Sequence, residues 1–451
     1  MKDLLEKLSK EVEGQGTCCG LYVKCLRLYG EWQFDSCAQR PATILSQYLQ
    51  KSVRMAEQAP SGDLGPGGLA EVHLALGRFA DRRYRELVKY MCSAEFETKR
   101  SLLSQAKHKV HLHKEHRVNP SRYTMRLQKE SELDEKEVTR LEEGRAEALS
   151  QAVVGYLSSL RAGTPHDAPV FRLASLWLDN ATDPEITAKV QEGLLNVPSH
   201  RLIPLIYQLA ARMGSSENTC NMFHDALKKV ILRTTLQHPH HCLLVVLALV
   251  NANKDECLLK STRGKQSSRS VPRDAVTEER MKEAKEVLDM VRVQHPVLVW
   301  EAEGLCDAYI SLANYDARKM REIRNSIKIS GHPITQVKNL RKMAIPTKTI
   351  EVDPSGEYPH VVTVYGFMDS FHLVGGINLP KIVVCFGSDG QKYKQLVKGK
   401  DDLRQDAVMQ QVFHLCNGLL STDKEAQQRH LKIRTYKVVP LTQTIWVARV
   451  V

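Results

Sequence analysis

The chain has 451 residues, room for roughly two to four domains, and its 42% hydrophobic and 26% charged content is that of a globular protein. Aromatic residues make up only 6% and Leu/Ala-rich stretches dominate, which weighs against an all-β architecture. The net charge of +12 permits contact with acidic surfaces, yet no Arg/Lys–aromatic interleaving of a base-reading surface accompanies it, so the excess reads as solvated helix surface.

The eleven cysteines lack the spacing of a disulfide framework and read as reduced core thiols of an intracellular protein. No apolar run reaches the roughly 18 residues that a membrane span needs, so no membrane contact is expected. Residues 1–10 carry an amphipathic helix pattern, unlike a secretory signal, and the chain is expected to begin within a helical array.

Helix follows helix to about residue 250. The predicted helices lie near 17–30, 36–57, 68–92, 94–116, 134–161, 169–179 and 219–236. Leu202, Leu205, Ile206, Leu209 and Met213 form a one-sided stripe, with Ser199 as the expected N-cap and Gly214 as the stop. Gly, Pro, Asn and Asp punctuate the junctions, as at Asp183-Pro184. Such a series reads as an α-solenoid with degenerate repeats. His238-Pro-His-His-Cys242 reads as a helix N-terminus, since no second ligand cluster follows it closely. Lys260, Arg263, Lys265, Arg269 and Arg273 lie in an aperiodic polar stretch that reads as a basic linker. Helices resume at 276–293 and 296–314, the second with Leu305, Tyr309 and Leu312 on one face.

After residue 330 the grammar changes. Short β-branched segments at 347–352, 361–365, 381–386, 393–397 and 433–439 surround one helix, 401–420, expected to bury Val408, Val412, Leu415 and Leu419. Asp353–Gly356 and Gly387–Gly390 are turn sequences. The expected fold is mainly α: a helical solenoid over 1–250, a basic loop and joining helices over 251–335, and a small α+β lobe over 336–451.

Val374-Gly-Gly-Ile-Asn-Leu-Pro380 is a glycine turn whose backbone could approach phosphate oxygens. Lys398 closes a strand, and Asp401, Asp402 and Asp406 open a helix at once. Alone, each part has an ordinary explanation: hairpin turns use glycine, edge strands use lysine, and first helical turns favour acids. Together they suit a phosphate site.

The run from Lys398 to Phe413 resembles the lysine-and-helix block of the phosphatidylinositol 3-kinase-related protein kinases. Further blocks agree with that family: Leu26–Trp32, Arg78–Asp81, Ser93–Glu97, Tyr207–Gly214, Leu305–Ile310 and Gly376–Lys381. The resemblance covers the chain to about Thr442. It implies a FAT-type solenoid running into the N-lobe of a kinase that phosphorylates Ser/Thr-Gln sites in the nuclear response to DNA breaks. It also implies protein substrates, break-sensor partners, a homodimer, and ATP with Mg as cofactors. By position, Val374, Gly375 and Gly376 would cover the phosphates, and Leu396 would line the adenine pocket. Lys398 would reach the α/β-phosphates, with Asp401 and Asp406 holding it.

The match stops at Thr442–Val451, which lacks the family's hinge residues. No Asp-Phe-Gly or catalytic loop occurs in these residues, so no catalytic residue is assigned and the polypeptide alone is expected to be inactive, with weak or no ATP binding. The last ten residues are expected to be poorly placed. The alternative reading is a non-catalytic helical interaction or scaffold product.

Overall fold

The computed structural model describes residues 7, 19–60, 62–115, 122–163, 168–214, 220–254, 275–317, 326–375, 378–400 and 404–450. Nearly all of the N-terminal helix pattern and the basic stretch at 260–273 lie outside these residues. The chain divides into two compact units, Met1–Pro198 and Ser199–Val451.

Among the described residues, the first unit contains helices and no strand. Its main members are α1 (Cys19–Asp35), α2 (Gly68–Met91), α3 (Ala94–Glu115), α4 (Arg122–Arg161), α5 (Ala168–Asp179) and α6 (Pro184–Leu195). The helix expected at 36–57 begins at Pro41 and passes through a π-turn at Leu45–Leu49. α2 and α4 cross at two glycines: a Cβ on Gly155 would lie 2.6 Å from the Cα of Gly77, so only bare backbone permits this approach. Close by, buried Asp81 of α2 accepts two bonds from Arg172 of α5, at 2.9 and 2.7 Å, and one from Tyr156 of α4 at 3.1 Å. A buried carboxylate is tolerable only when its lone pairs are filled in this way.

Two features of this unit were hidden in the sequence. α4 starts at Arg122, not near 134, because its first turns are mostly polar and charged, as in the Arg126–Glu130 pair at 2.9 Å, and carry no apolar period. α6 follows the Asp183-Pro184 junction. Asp183 caps it by accepting from the amides of Glu185 (2.9 Å) and Ile186 (3.1 Å), and Pro184 fills the first position.

The second unit joins helices to a sheet. The Leu202–Met213 stripe is buried, but Pro204 makes Ser199–Leu205 a 3-10 turn before a short α-helix at Ile206–Ala211. Ser199 does not cap it, since its hydroxyl meets His238. Gly214 stops the stripe at φ +64°, and a Cβ there would meet the Arg280 amide at 2.4 Å. Then come α7 (Asn221–Gln237), α8 (Pro239–Val250), α9 (Ala275–Gln294) and α10 (Pro296–Asn314).

Strands β1 (Ile327–Lys328), β2 (Val364–Leu373), β3 (Lys381–Gly387), β4 (Lys392–Lys398), β5 (Val438–Pro440) and β6 (Trp446–Arg449) form one sheet, with α11 (Arg404–Leu420) between β4 and β5. The order is β1-β2-β3-β4-β6-β5, with every pairing antiparallel. The β-branched segment 347–352 is not a strand. No neighbour offers it a ladder, and Thr347 is buried as a side-chain acceptor for Gln395 at 3.0 Å. Of 433–439 only the end, from Val438, is strand. Both turns form, with Gly356 at φ +79° and Gly390 at +75°.

Five of the nine described cysteines are buried, but Cys37 and Cys92 are exposed, so the thiols are not uniformly core. No described helix is long and apolar enough to cross a membrane.

Candidate nucleotide-binding site

The two faces of the sheet have different surroundings. Val383, Cys385, Gln395 and Val397 are buried toward α10. There the fully buried Tyr309 donates to Gln395 at 2.6 Å and stacks edge-on against Phe367, with centroids 5.7 Å apart. Lys381 is also drawn inward. Its ammonium donates to the carbonyl of Ala313 at 2.9 Å, at the negative end of α10. Burial, with the nearby charge of Lys400, pulls that amine down to about 8.

The opposite face carries the candidate residues. Leu396 lies between Ile382 of β3 and Ala448 of β6, and Lys398 pairs with Trp446. Period-two alternation therefore puts Leu396, Lys398, Trp446 and Ala448 on one face. Leu396 and Lys398 are half-buried. At the β6 end this face is covered by Ala407 of α11 and by Tyr436, packed on Val438, Trp446 and Ala448. The first turn of α11 thus stands at the cross-strand partner of Lys398.

The glycine turn borders the same corner. The Val374 amide closes it on the Pro380 carbonyl at 2.9 Å, and Asn378 donates to the Lys400 carbonyl at 3.1 Å. Val374 is exposed, and a Cβ on Gly375 would meet nothing within 4 Å, so this position is open at the lip. Gly376 and Asp401, assigned by position from the sequence, lie outside the described residues. Asp406 is placed in the first turn of α11 with its side chain exposed.

Two expectations are overturned here. Residues 442–450 are well integrated. Ile445, Trp446 and Val447 are buried, and β6 fills the space between β4 and β5, because Val447 and Trp446 alternate between the two faces. α11 buries the opposite side from the one expected. Val408, Val412, Leu415 and Leu419 are 49%, 42%, 39% and 70% exposed. Polar side chains anchor the helix instead. Gln410 accepts the Tyr436 amide at 2.8 Å, and Asn417 exchanges two 2.8 Å bonds with the backbone of Ile433. Gln411 bonds Gln208 and the Pro204 carbonyl.

Sequence reasoning missed Lys381, Lys437 and Trp446. Burial pulls the amine of Lys437 down to about 8. The Trp446 indole N–H is buried without a hydrogen-bond partner, a donor not spent on protein. Sequence alone could not separate Lys381, turned toward α10, from Lys398 on the other face, because both are lysines at strand ends and register decides the side. The histidine cluster is structural: His238 is held between Tyr358 (2.7 Å) and Ser199 (3.0 Å).

A strand lysine, an adjacent helix start and a closed glycine turn at one corner suit a nucleotide phosphate group. Comparison with known proteins shows the family. Residues 392–451 match the family model for phosphatidylinositol 3- and 4-kinases. The serine-protein kinase ATM of Sus scrofa is 43% identical over 451 residues, covering 98% of this chain. The chain is a homologue of the ATM/Tel1 serine/threonine kinases. It spans only 15% of the pig protein's length. In fold it is similar to the solved "FAT and kinase domain of CtTel1", with a TM-score of 0.78 and 24% identity over 95% of this chain and 28% of that one. A structure described as "Complete CtTel1 dimer with C2 symmetry" matches with the same TM-score and identity, 15% of that chain being covered. The solenoid-plus-lobe architecture expected from the sequence is therefore the observed one.

Proposed function

We propose that this ATM/Tel1 homologue supplies the helical support and one wall of the ATP site of an ATM-like serine/threonine protein kinase. In this reading Lys398 contacts the α/β-phosphates, Leu396 lines the adenine pocket, and the Val374–Leu379 turn covers the phosphates. Asp401 and Asp406 position Lys398. The observation that carries the reading is the shared sheet face of Leu396 and Lys398, bordered by the glycine turn and by the first turn of α11. Nucleotide phosphates supply negative charge at a corner where Lys398 and Lys400 bring cations.

The same proposal includes Ser/Thr-Gln substrates, a nuclear role in the DNA damage response, break-sensor partners and a homodimer. Family resemblance supports these, and the CtTel1 dimer supports the last. Phosphoryl transfer also needs carboxylates for Mg and a group that orients the acceptor hydroxyl. None of the residues assigned here does either, so the 451-residue polypeptide alone should transfer no phosphate to a Ser-Gln peptide.

Photo-crosslinking with 8-azido-ATP tests the site. Label, weak because the polypeptide supplies only one wall of the pocket, should fall in peptides from β3, β4 and β6. Lys398→Ala should reduce it about tenfold or more, the loss expected for one charge-assisted contact. Equal labelling of both proteins, or label confined to other peptides, would remove Lys398 from the site.

A further inference from the structure

A groove of the second unit, lined by residues other than those of the nucleotide corner, has a volume of about 740 Å³. One wall is the start of α10, where Pro296, Val297 and Trp300 face outward; the other is the chain from Pro333 to Arg341. Trp300 is 72% exposed, an unusual setting for a tryptophan on a helix whose other face is core. The volume falls within the range of ligand sites, roughly 300–1,000 Å³.

The groove is held open by a single buried carboxylate. Glu301, on α10, accepts the amides of Arg341 (2.7 Å), Lys342 (2.8 Å) and Met343 (2.8 Å). On the far side of the same segment, the amides of Asn339 and Leu340 donate to the Tyr365 and Val364 carbonyls of β2, at 2.8 and 2.9 Å. The second wall is therefore stitched to both α10 and the sheet and is rigid before any ligand arrives.

These bonds also set the charge of the groove. Glu301 is the one carboxylate among the lining residues, and its charge is spent on three backbone donors. Nearby acids on α10 are paired, Glu303 with Arg292 and Asp307 with Lys254, both at 2.6 Å. Lys338 and Arg341 remain on the lip with exposed side chains, and Lys342 is exposed beside them. One wall is thus apolar and aromatic, and the other lip is cationic.

We propose that this groove docks an acidic peptide segment with an aromatic anchor. The aromatic side chain would lie against Trp300 and Val297, and neighbouring Asp or Glu residues would meet Lys338 and Arg341. The charge lies on one side only. A nucleic acid backbone would leave the apolar wall unused and needs a run of cations along its path, whereas a peptide can present an apolar and an acidic side at once.

The test is fluorescence anisotropy with a short labelled peptide in which Trp and Phe are flanked by Asp and Glu, titrated with the 451-residue chain. Binding should be salt-sensitive. The combined K338E and R341E change should weaken it at least about tenfold. Trp300→Ala should weaken it by a similar or larger factor, as for a central aromatic anchor. All three positions are exposed, so unchanged melting curves would confirm folding. A peptide with Lys in place of Asp and Glu, or with Ala in place of the aromatics, should not bind. Three outcomes would overturn the proposal: no binding of the acidic peptide, equal binding of the lysine peptide, or indifference to Trp300→Ala. Self-association that Trp300→Ala abolishes would also overturn it, by showing that a second copy occupies the groove.

Discussion

Helices α10 and α11 both contribute to the sheet lobe and both carry a regular apolar stripe, yet they use it in opposite ways. α10 buries its stripe: Leu305, Tyr309 and Leu312 are at most 1% exposed. α11 turns Val408, Val412, Leu415 and Leu419 outward and is held by Gln410, Gln411 and Asn417. A hydrophobic period reports that a face can be buried, not which neighbour buries it. On α10 the sheet is that neighbour. On α11 the sheet receives only the narrow Ala407 edge, and amide side chains replace missing backbone partners.

The strongest way to break this contrast is to empty the α10 side. Tyr309→Ala removes a fully buried ring and leaves Gln395 without its donor, so it should cost about 3–5 kcal/mol. Loss of hydrogen-exchange protection across β3 and β4 would register it. A cost below about 1 kcal/mol would mean that α10 does not support the sheet.

A second test uses acid. Burial, with the charge of Lys437 nearby, pushes His240 and His241 from the ordinary 6.5 down to about 4. Both are neutral in the folded chain, so between pH 6.5 and 4 the unfolded chain binds more protons. Stability from these groups is present above pH 6.5 and is lost as pH falls to about 4. The slope should reach up to about 1.4 kcal/mol per pH unit for each histidine. Urea midpoints measured across this window should fall with acid, and His240→Gln with His241→Gln should flatten the curve. An unchanged slope in the double variant would place both rings in water.

The smallest effects sharpen the α11 side. Gln410→Ala orphans the Tyr436 amide and should cost about 1–2 kcal/mol, whereas Leu415→Ser should stay within about 0.5 kcal/mol. If thermal melts reverse that order, the apolar face of α11 is buried after all.

The candidate site was legible to different depths. Lys398 and the glycine turn stand out locally, as a strand end and a turn sequence, whereas Leu396 entered only through the family resemblance; the sheet register puts Leu396 and Lys398 on one face, with the turn closed nearby. Lys381 and Trp446 could not be found. Lys381 looks in sequence like any strand lysine, and only its register with Val397 sends it under α10. Trp446 lies in a tail with little helix or turn grammar, and it becomes a strand because β4 and β5 offer ladders on both sides.

By itself, the sequence determined the succession of helices, the change to strands after residue 330 and the family to which these blocks are similar. Those features depend on contacts within a few residues, where period, caps and turn chemistry act directly. Tertiary structure decided which face of each element is used: the inversion of α11, the exposure of Trp300 beside a rigid cationic lip, and the side of the sheet on which each lysine lies. Facing is set by partners hundreds of residues away, as when Gln208 meets Gln411, and no local pattern encodes such a partner.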